Sequence, residues 1–303
     1  MEVASAKQSR FPWWQAAANG GAFLAQLAAA FVMAPILLRY FGRDRYGAWS
    51  FVESILAYLT LFDLGVSATM VRYVARFHTT GEHQLLSRLT AACALVFSLA
   101  GVVVALLGTA VLALVLFGTD KVPGPLRDEV WSMSLLLLAT LSVQLPLSIF
   151  PAALDGLGRF AQKALIRTGF LLLRLVGVVW LVRFQGSLVT LAWVFSITSL
   201  GEFVVMGWVV RRLLPHLSFA PWRTDREALR QVRGYSGDAL LAMLAGRISF
   251  KTDALVIGLC GQLDMIPFFD MPARLAEYAK NLIRSATTTL TPAFSALDAG
   301  GHR

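Results

Sequence analysis

Six basic residues, Arg174, Arg247, Lys251, Arg274, Lys280 and Arg284, fall inside long apolar stretches of this sequence. A charge at mid-bilayer depth costs from ~2.5 kcal/mol upward, so such side chains face a bundle interior or a watery cavity, where they are paired or functional. Arg247 and Lys251 are four residues apart and share a helical face, about 16 Å into their stretch. Asp270, Arg274, Glu277, Asn281, Arg284 and Thr288 recur at steps of three and four, which winds them into one stripe. A milder polar stripe, Gln15, Asn19 and Gln26, runs along the first apolar stretch. In the fifth, seventh and eighth stretches the six cations meet only Asp253, Asp270 and Glu277, and this local surplus implies an anionic ligand. Over all stretches Glu53, Asp63 and Glu202 restore the balance.

The candidate binding residues are therefore Arg247, Lys251, Arg274, Arg284 and Arg174, with Asn19, Gln26, Glu53, Asp253, Glu277 and Asn281 as polar cavity or ion-coupling groups. A structural reading stands beside each. Asp270 with Arg274, and Arg274 with Glu277, have the spacing of pairs within one helix. Arg247 has Asp253 or Glu202 as potential partners, and Asp63, in the inner half of its stretch, is expected to lock a helix end. Arg174 and Lys251 have no acid at pairing distance along the chain, which favours a cavity for both.

The elements that must position these groups follow from composition. The chain has 303 residues, 57% of them hydrophobic and 15% charged, with a mean hydropathy of +0.65. That excludes an ordinary water-soluble domain. About 20 apolar residues make one helical crossing, and eight candidates appear: Ala16 to Leu38, Ala48 to Met70, Leu89 to Phe117, Val130 to Ala153, Ala164 to Val182, Leu188 to Val210, Gly237 to Leu259 and Met265 to Phe294. The expected fold is all-α and polytopic, with about eight transmembrane helices. A six-helix N-terminal lobe (1–210) is followed by a basic cytoplasmic linker (211–235) containing Pro215 and Pro221, then by the first two helices of a C-terminal lobe (236–303). With the amino terminus inside, fifteen basic residues lie in inner segments and six in outer ones, so an N-in topology is expected. In that count Arg159, Lys163 and Arg167 belong to an inner connector, and the turn around Gly42 is outside.

Several classes drop out. Cys93 and Cys260 have no second Cys or His at ligand spacing, and the four histidines form no pair for a metal, so neither metal nor cofactor is expected. The net charge of +9 is scattered through connectors, which fits anionic lipid as a partner and argues against nucleic acid. The start of the chain is polar and basic, without the pattern of a cleaved signal peptide. No nucleophile–base pair and no phosphate-cradling Gly-rich loop is present, and the longest outer connector, Gly118 to Glu129, is short for a catalytic site, so no enzyme is expected.

The run from Ala34 to Arg76 carries a Leu-Arg-x-x-Gly turn at Leu38 to Gly42, then Tyr46-Gly47, Asp63-Leu64-Gly65 and Arg72-Tyr73. With Leu154 to Arg167, and with Thr252 to Leu297 and its Asp253, Gly258, Gly261, Arg274-Leu275 and Pro292, it resembles the Wzx-like oligosaccharide flippases, the polysaccharide biosynthesis branch of the multidrug/oligosaccharidyl-lipid/polysaccharide exporter superfamily. The resemblance implies two six-helix lobes around a central cavity. It also implies alternating access that turns an undecaprenyl-pyrophosphate oligosaccharide across the bacterial inner membrane; a proton or sodium is the candidate coupling ion beside the membrane potential, with Glu53 and Asp63 as its candidate sites. Its members have twelve to fourteen spans, so a C-terminally truncated member is the expectation here. The rival readings are a multidrug/cation antiporter of the same superfamily, which needs an acid-dominated cavity, and an inactive truncated remnant.

Overall fold

The computed structural model describes residues 13–217, with short gaps at 64, 81, 119–121, 123 and 216, and isolated positions between 224 and 280. Arg247, Lys251, Asp253, Arg274, Glu277, Asn281 and Arg284 lie outside the described residues, as do the seventh span and nearly all of the eighth, and the side chain of Asn19 does too. Among the described residues the chain is all-α, with helices α1 (Trp13–Leu59), α2 (Val66–Thr80), α3 (His83–Gly118), α4 (Gly124–Leu147), α5 (Ile149–Gly156), α6 (Phe160–Arg183) and α7 (Leu188–Leu213). Five stretches, Gly20–Asp63, Gln84–Gly118, Gly124–Gly156, Phe160–Arg183 and Leu188–Leu213, are long and apolar enough to cross a membrane. This is a multi-pass membrane protein.

The first of these stretches holds two limbs. Gly42 has φ 74° and ψ 179°, a region open essentially to glycine alone, and it breaks α1 into limbs 13–41 and 43–59. Gln26 precedes the break by sixteen residues and Glu53 follows it by eleven, so on one straight helix they would stand about 40 Å apart. Both line one cavity of about 700 Å³, so the limbs fold back on each other, as the turn expected at Gly42 requires.

The second expected span, Ala48 to Met70, differs from the structure. It does not run as one helix: it ends at Leu59, passes through a 3₁₀ turn (Thr60–Asp63) and Gly65 (φ 72°), and resumes at Val66 as α2, which runs to Thr80, ten residues beyond the expected end. The cause is local capping. Asp63 Oδ1 accepts the Ser67 backbone N–H at 3.0 Å and Oδ2 accepts the Ser67 hydroxyl at 2.7 Å, which gives α2 its own N-terminus. The fourth span is likewise divided, into α4 and α5, just after Pro146.

Packing forms two layers. Near the Gly42 end, Trp49, Phe51 and Val52 of α1 meet Val104 and Leu112 of α3, Met133 of α4, Val178 of α6 and Leu188 of α7. At the other end, Val66, Met70 and Val74 of α2 meet Leu86 and Phe97 of α3, Ile149 and Leu154 of α5, and Met206 of α7. Helices α3 and α4 approach closely because Gly101 has no side chain: a Cβ there would lie 2.5 Å from the Ser142 carbonyl oxygen. The perimeter is apolar instead of polar, with Leu99, Leu106, Leu114, Leu172, Val176 and Val204 exposed. Aromatic pairs Phe117–Trp131 and Trp180–Phe184 sit at the Gly42 end, and Trp208 under Arg212 at the other, as expected where a bilayer meets water.

Candidate functional site

Helix α6 starts at Phe160 after a turn in which Gly158 adopts φ 69°. From that start, Lys163, Arg167, Leu171 and Arg174 follow at steps of four, four and three, on one face. On α7, Phe195, Ser199, Glu202 and Met206 repeat the same periodicity. These two stripes, with Gln26, Pro35, Tyr46, Trp49 and Glu53 from the limbs of α1, and Gln144 and Pro151 from the α4–α5 break, line the 700 Å³ cavity. Among the described residues its charged lining is three cations, Lys163, Arg167 and Arg174, and two acids, Glu53 and Glu202.

Arg174 stands fourteen residues, about 21 Å, along α6. Its Nε donates to Thr198 Oγ1 at 2.9 Å and its Nη2 to Ser199 Oγ at 2.7 Å. Its guanidinium carbon lies 4.8 Å from the centre of the Phe195 ring, which in turn meets Trp49 edge-on at 4.9 Å. Two hydroxyls and an aromatic face thus hold the guanidinium with no carboxylate in direct contact among the described residues. The carboxylates of Glu202 and Glu53 act on it electrostatically, Glu202 more strongly. Glu202 itself feels Arg167, Arg174 and Lys163, in that order, and Lys163 Nζ is paired with Asp155 Oδ2 at 2.6 Å. Such a site suits an anionic group with several acceptor oxygens.

A second, more open depression of about 600 Å³ lies at the Gly42 end, lined by Tyr40, Arg45, Glu129, Gln185, Gly186 and Ser187. Glu129 ties it together: Oε1 accepts the Leu188 backbone N–H at 2.8 Å and Oε2 lies 3.4 Å from Arg45 Nη2. Tyr40 donates its hydroxyl to the Gly186 carbonyl at 3.0 Å. Three connectors are fastened to one another here, a bracing arrangement.

The family model described as polysaccharide biosynthesis protein matches residues 18–298. The chain belongs to this family. No curated protein and no solved structure gave a match. For this polysaccharide biosynthesis protein, then, the structure gathers Arg174, Gln26 and Glu53, three of the groups singled out in the sequence, around one cavity, and Asp63 caps α2. No group of His, Cys, Asp and Glu able to hold a metal occurs among the described residues.

Lys163, Arg167 and Glu202 were not recognised as cavity residues from the sequence. The sequence places the first two in a connector and offers Glu202 as a balancing acid and a partner for Arg247, which lies outside the described residues. The signal was present as the 163–167–174 and 195–199–202 spacings. Unambiguous reading of it needs to know which helix faces which.

Proposed function

We propose that this polysaccharide biosynthesis protein is a flippase for a lipid-linked oligosaccharide, moving a polyprenyl-diphosphate glycan across the inner membrane by alternating access, and that it is not an enzyme. The observation that carries the reading is the cationic face of α6, Lys163, Arg167 and Arg174, turned into a cavity between membrane-spanning helices. A diphosphate bound there exchanges its hydration for guanidinium and ammonium donors, while Trp49, Phe195 and the apolar lining accommodate less polar parts of the ligand. The N-in orientation rests on the charge counts of the connectors. Glu53, within the cavity, is the candidate for a coupling proton or sodium ion.

A cation antiporter would use Glu53 and Glu202, but among the described residues the lining has more cations than acids. The test is calorimetric binding of inorganic pyrophosphate and of a prenyl diphosphate to the full chain in nanodiscs, with a quaternary ammonium compound as the rival ligand. Diphosphate binding lost in Arg174→Ala supports the flippase. Binding of the cation alone refutes it.

A further inference from the structure

A cavity that carries a ligand across a membrane must also let it go, so a site of unopposed cations would hold a diphosphate too tightly for turnover. The cavity of this protein contains its own answer to that difficulty. Glu202 lies three residues after Ser199 and four after Thr198 on α7, on the same helical face as the hydroxyls that hold Arg174. The charged groups around it are Arg167, Arg174 and Lys163 on α6, Glu53 on the second limb of α1, and Asp155 of α5 through its ion pair with Lys163. Among the described residues these and Glu202 are three cations and three acids, with Asp155 outside the lining, so the cluster around Glu202 is balanced although the lining itself keeps one more cation than acids. Glu202 makes no hydrogen bond or ion pair among the described residues. It acts on the same cations that a diphosphate would engage.

We infer that Glu202 is a release residue: a carboxylate that competes with the ligand's diphosphate for Arg174, Arg167 and Lys163, lowering ground-state affinity and returning the cations to balance when the ligand leaves. This rests on the diphosphate reading above. Glu202 is a positioning and affinity-setting residue toward the ligand and holds none of it directly. In the empty site the carboxylate field neutralises the cations. On binding, the incoming phosphate oxygens take over that role, and the unfavourable approach of phosphate to Glu202 limits affinity.

The experiment is calorimetry on the full chain in nanodiscs with inorganic pyrophosphate and with farnesyl diphosphate, for the wild type, Glu202→Gln, Glu202→Asp and Arg174→Ala, together with export rates in cells. Glu202→Gln, of equal shape and no charge, is expected to bind both ligands at least about ten-fold more tightly, and to lower both KM and kcat for export. Glu202→Asp, which keeps the charge, is expected to stay near the wild type; this conservative rescue would not follow from loss of folding. Unchanged or weaker binding by Glu202→Gln, with wild-type binding present and lost in Arg174→Ala, overturns the release role and leaves the diphosphate reading standing. A gain confined to farnesyl diphosphate overturns it as well, because the tail and not the phosphates would then be responsible. Equal wild-type affinity for both ligands refutes the lipid-linked source while a gain in Glu202→Gln upholds the release role. No wild-type binding of either ligand overturns both proposals.

Discussion

Replacing Arg174 with alanine should weaken ligand binding far more than it weakens the fold, and the structure gives the reason for that separation. The side chain makes two charged hydrogen bonds, at 2.9 and 2.7 Å, and one cation–π contact at 4.8 Å. Hydrogen bonds to charged groups contribute about 1.5–3 kcal/mol each, and a cation–π contact about 0.5–2 kcal/mol. Against these stands the cost of holding a guanidinium within the membrane, from ~2.5 kcal/mol upward, so the two partly cancel and the loss of stability is smaller than the contacts alone imply. Of the two hydroxyls left behind, that of Thr198 also donates to the Val194 carbonyl at 2.7 Å, and Ser199 lines the cavity. The ligand, by contrast, loses the cation that, among the described residues, lies furthest along α6 from its start, and affinity should fall about 10- to 100-fold, or about 1.4–2.8 kcal/mol. Arg174→Lys should recover only part of this, since an ammonium lacks the planar fork that spans Thr198 and Ser199. The checks are pyrophosphate calorimetry and a thermal melt of the same nanodisc preparation. Undiminished binding would refute the assignment of Arg174 to the ligand, and a collapsed melt would show that the arginine is a structural strut.

Gly42→Ala should destabilise by about 1–3 kcal/mol, because φ 74° with ψ 179° is strained for any L side chain; a thermal melt measures it, and an unchanged Tm would contradict the sharp fold-back of the two limbs. Gly101→Val should destabilise by about 1–3 kcal/mol, since a Cβ 2.5 Å from the Ser142 carbonyl meets backbone that cannot swing aside, and it should separate α3 from α4 in a cysteine cross-linking experiment. Glu129→Ala frees the first N–H of α7 and removes the partner of Arg45; a loss of about 1–2 kcal/mol is expected, with the 184–187 connector becoming accessible to protease while pyrophosphate affinity stays unchanged. Glu129→Gln, which retains an acceptor for the Leu188 N–H, should recover most of that loss.

Most of the spans among the described residues are legible because apolar length alone specifies them, and the turn at Gly42 because a helix pair needs a break that glycine supplies most cheaply. The break at 60–65 was not legible from hydropathy, because it is made by one carboxylate, Asp63, turning to the N–H and hydroxyl of Ser67 inside an otherwise apolar run. The helix-end role expected of Asp63 is what the structure shows, and the same cap divides the single expected span. For the cavity, Arg174 stood out because it has no acid at pairing distance along its own helix. Lys163 and Arg167 did not, because charges in the first two turns of a span look the same whether they face water, lipid headgroups or a cavity. Only the neighbour settles it, and here the neighbour is α7.

The same comparison explains why both signs of charge occur in the cavity. A cation within a membrane needs either a counter-charge or a ligand, and a transporter must exist in both the empty and the loaded state. Were Lys163, Arg167 and Arg174 unopposed, the empty state would carry the full cost of three desolvated cations and would not persist. Were each locked in a direct ion pair, the loaded state would have to break those pairs before binding. The arrangement is intermediate: Lys163 is paired with Asp155 at 2.6 Å, while Arg174 is held by neutral hydroxyls and an aromatic ring and senses its carboxylates from a distance. Neutral groups fix the guanidinium's position without using up its charge, and the acids neutralise the field without occupying the donors. That division lets one site be stable when empty and competent to bind, and it makes position and charge separable by mutation: Thr198→Val should disorder the guanidinium at constant charge, whereas Glu202→Gln should change the charge at constant geometry.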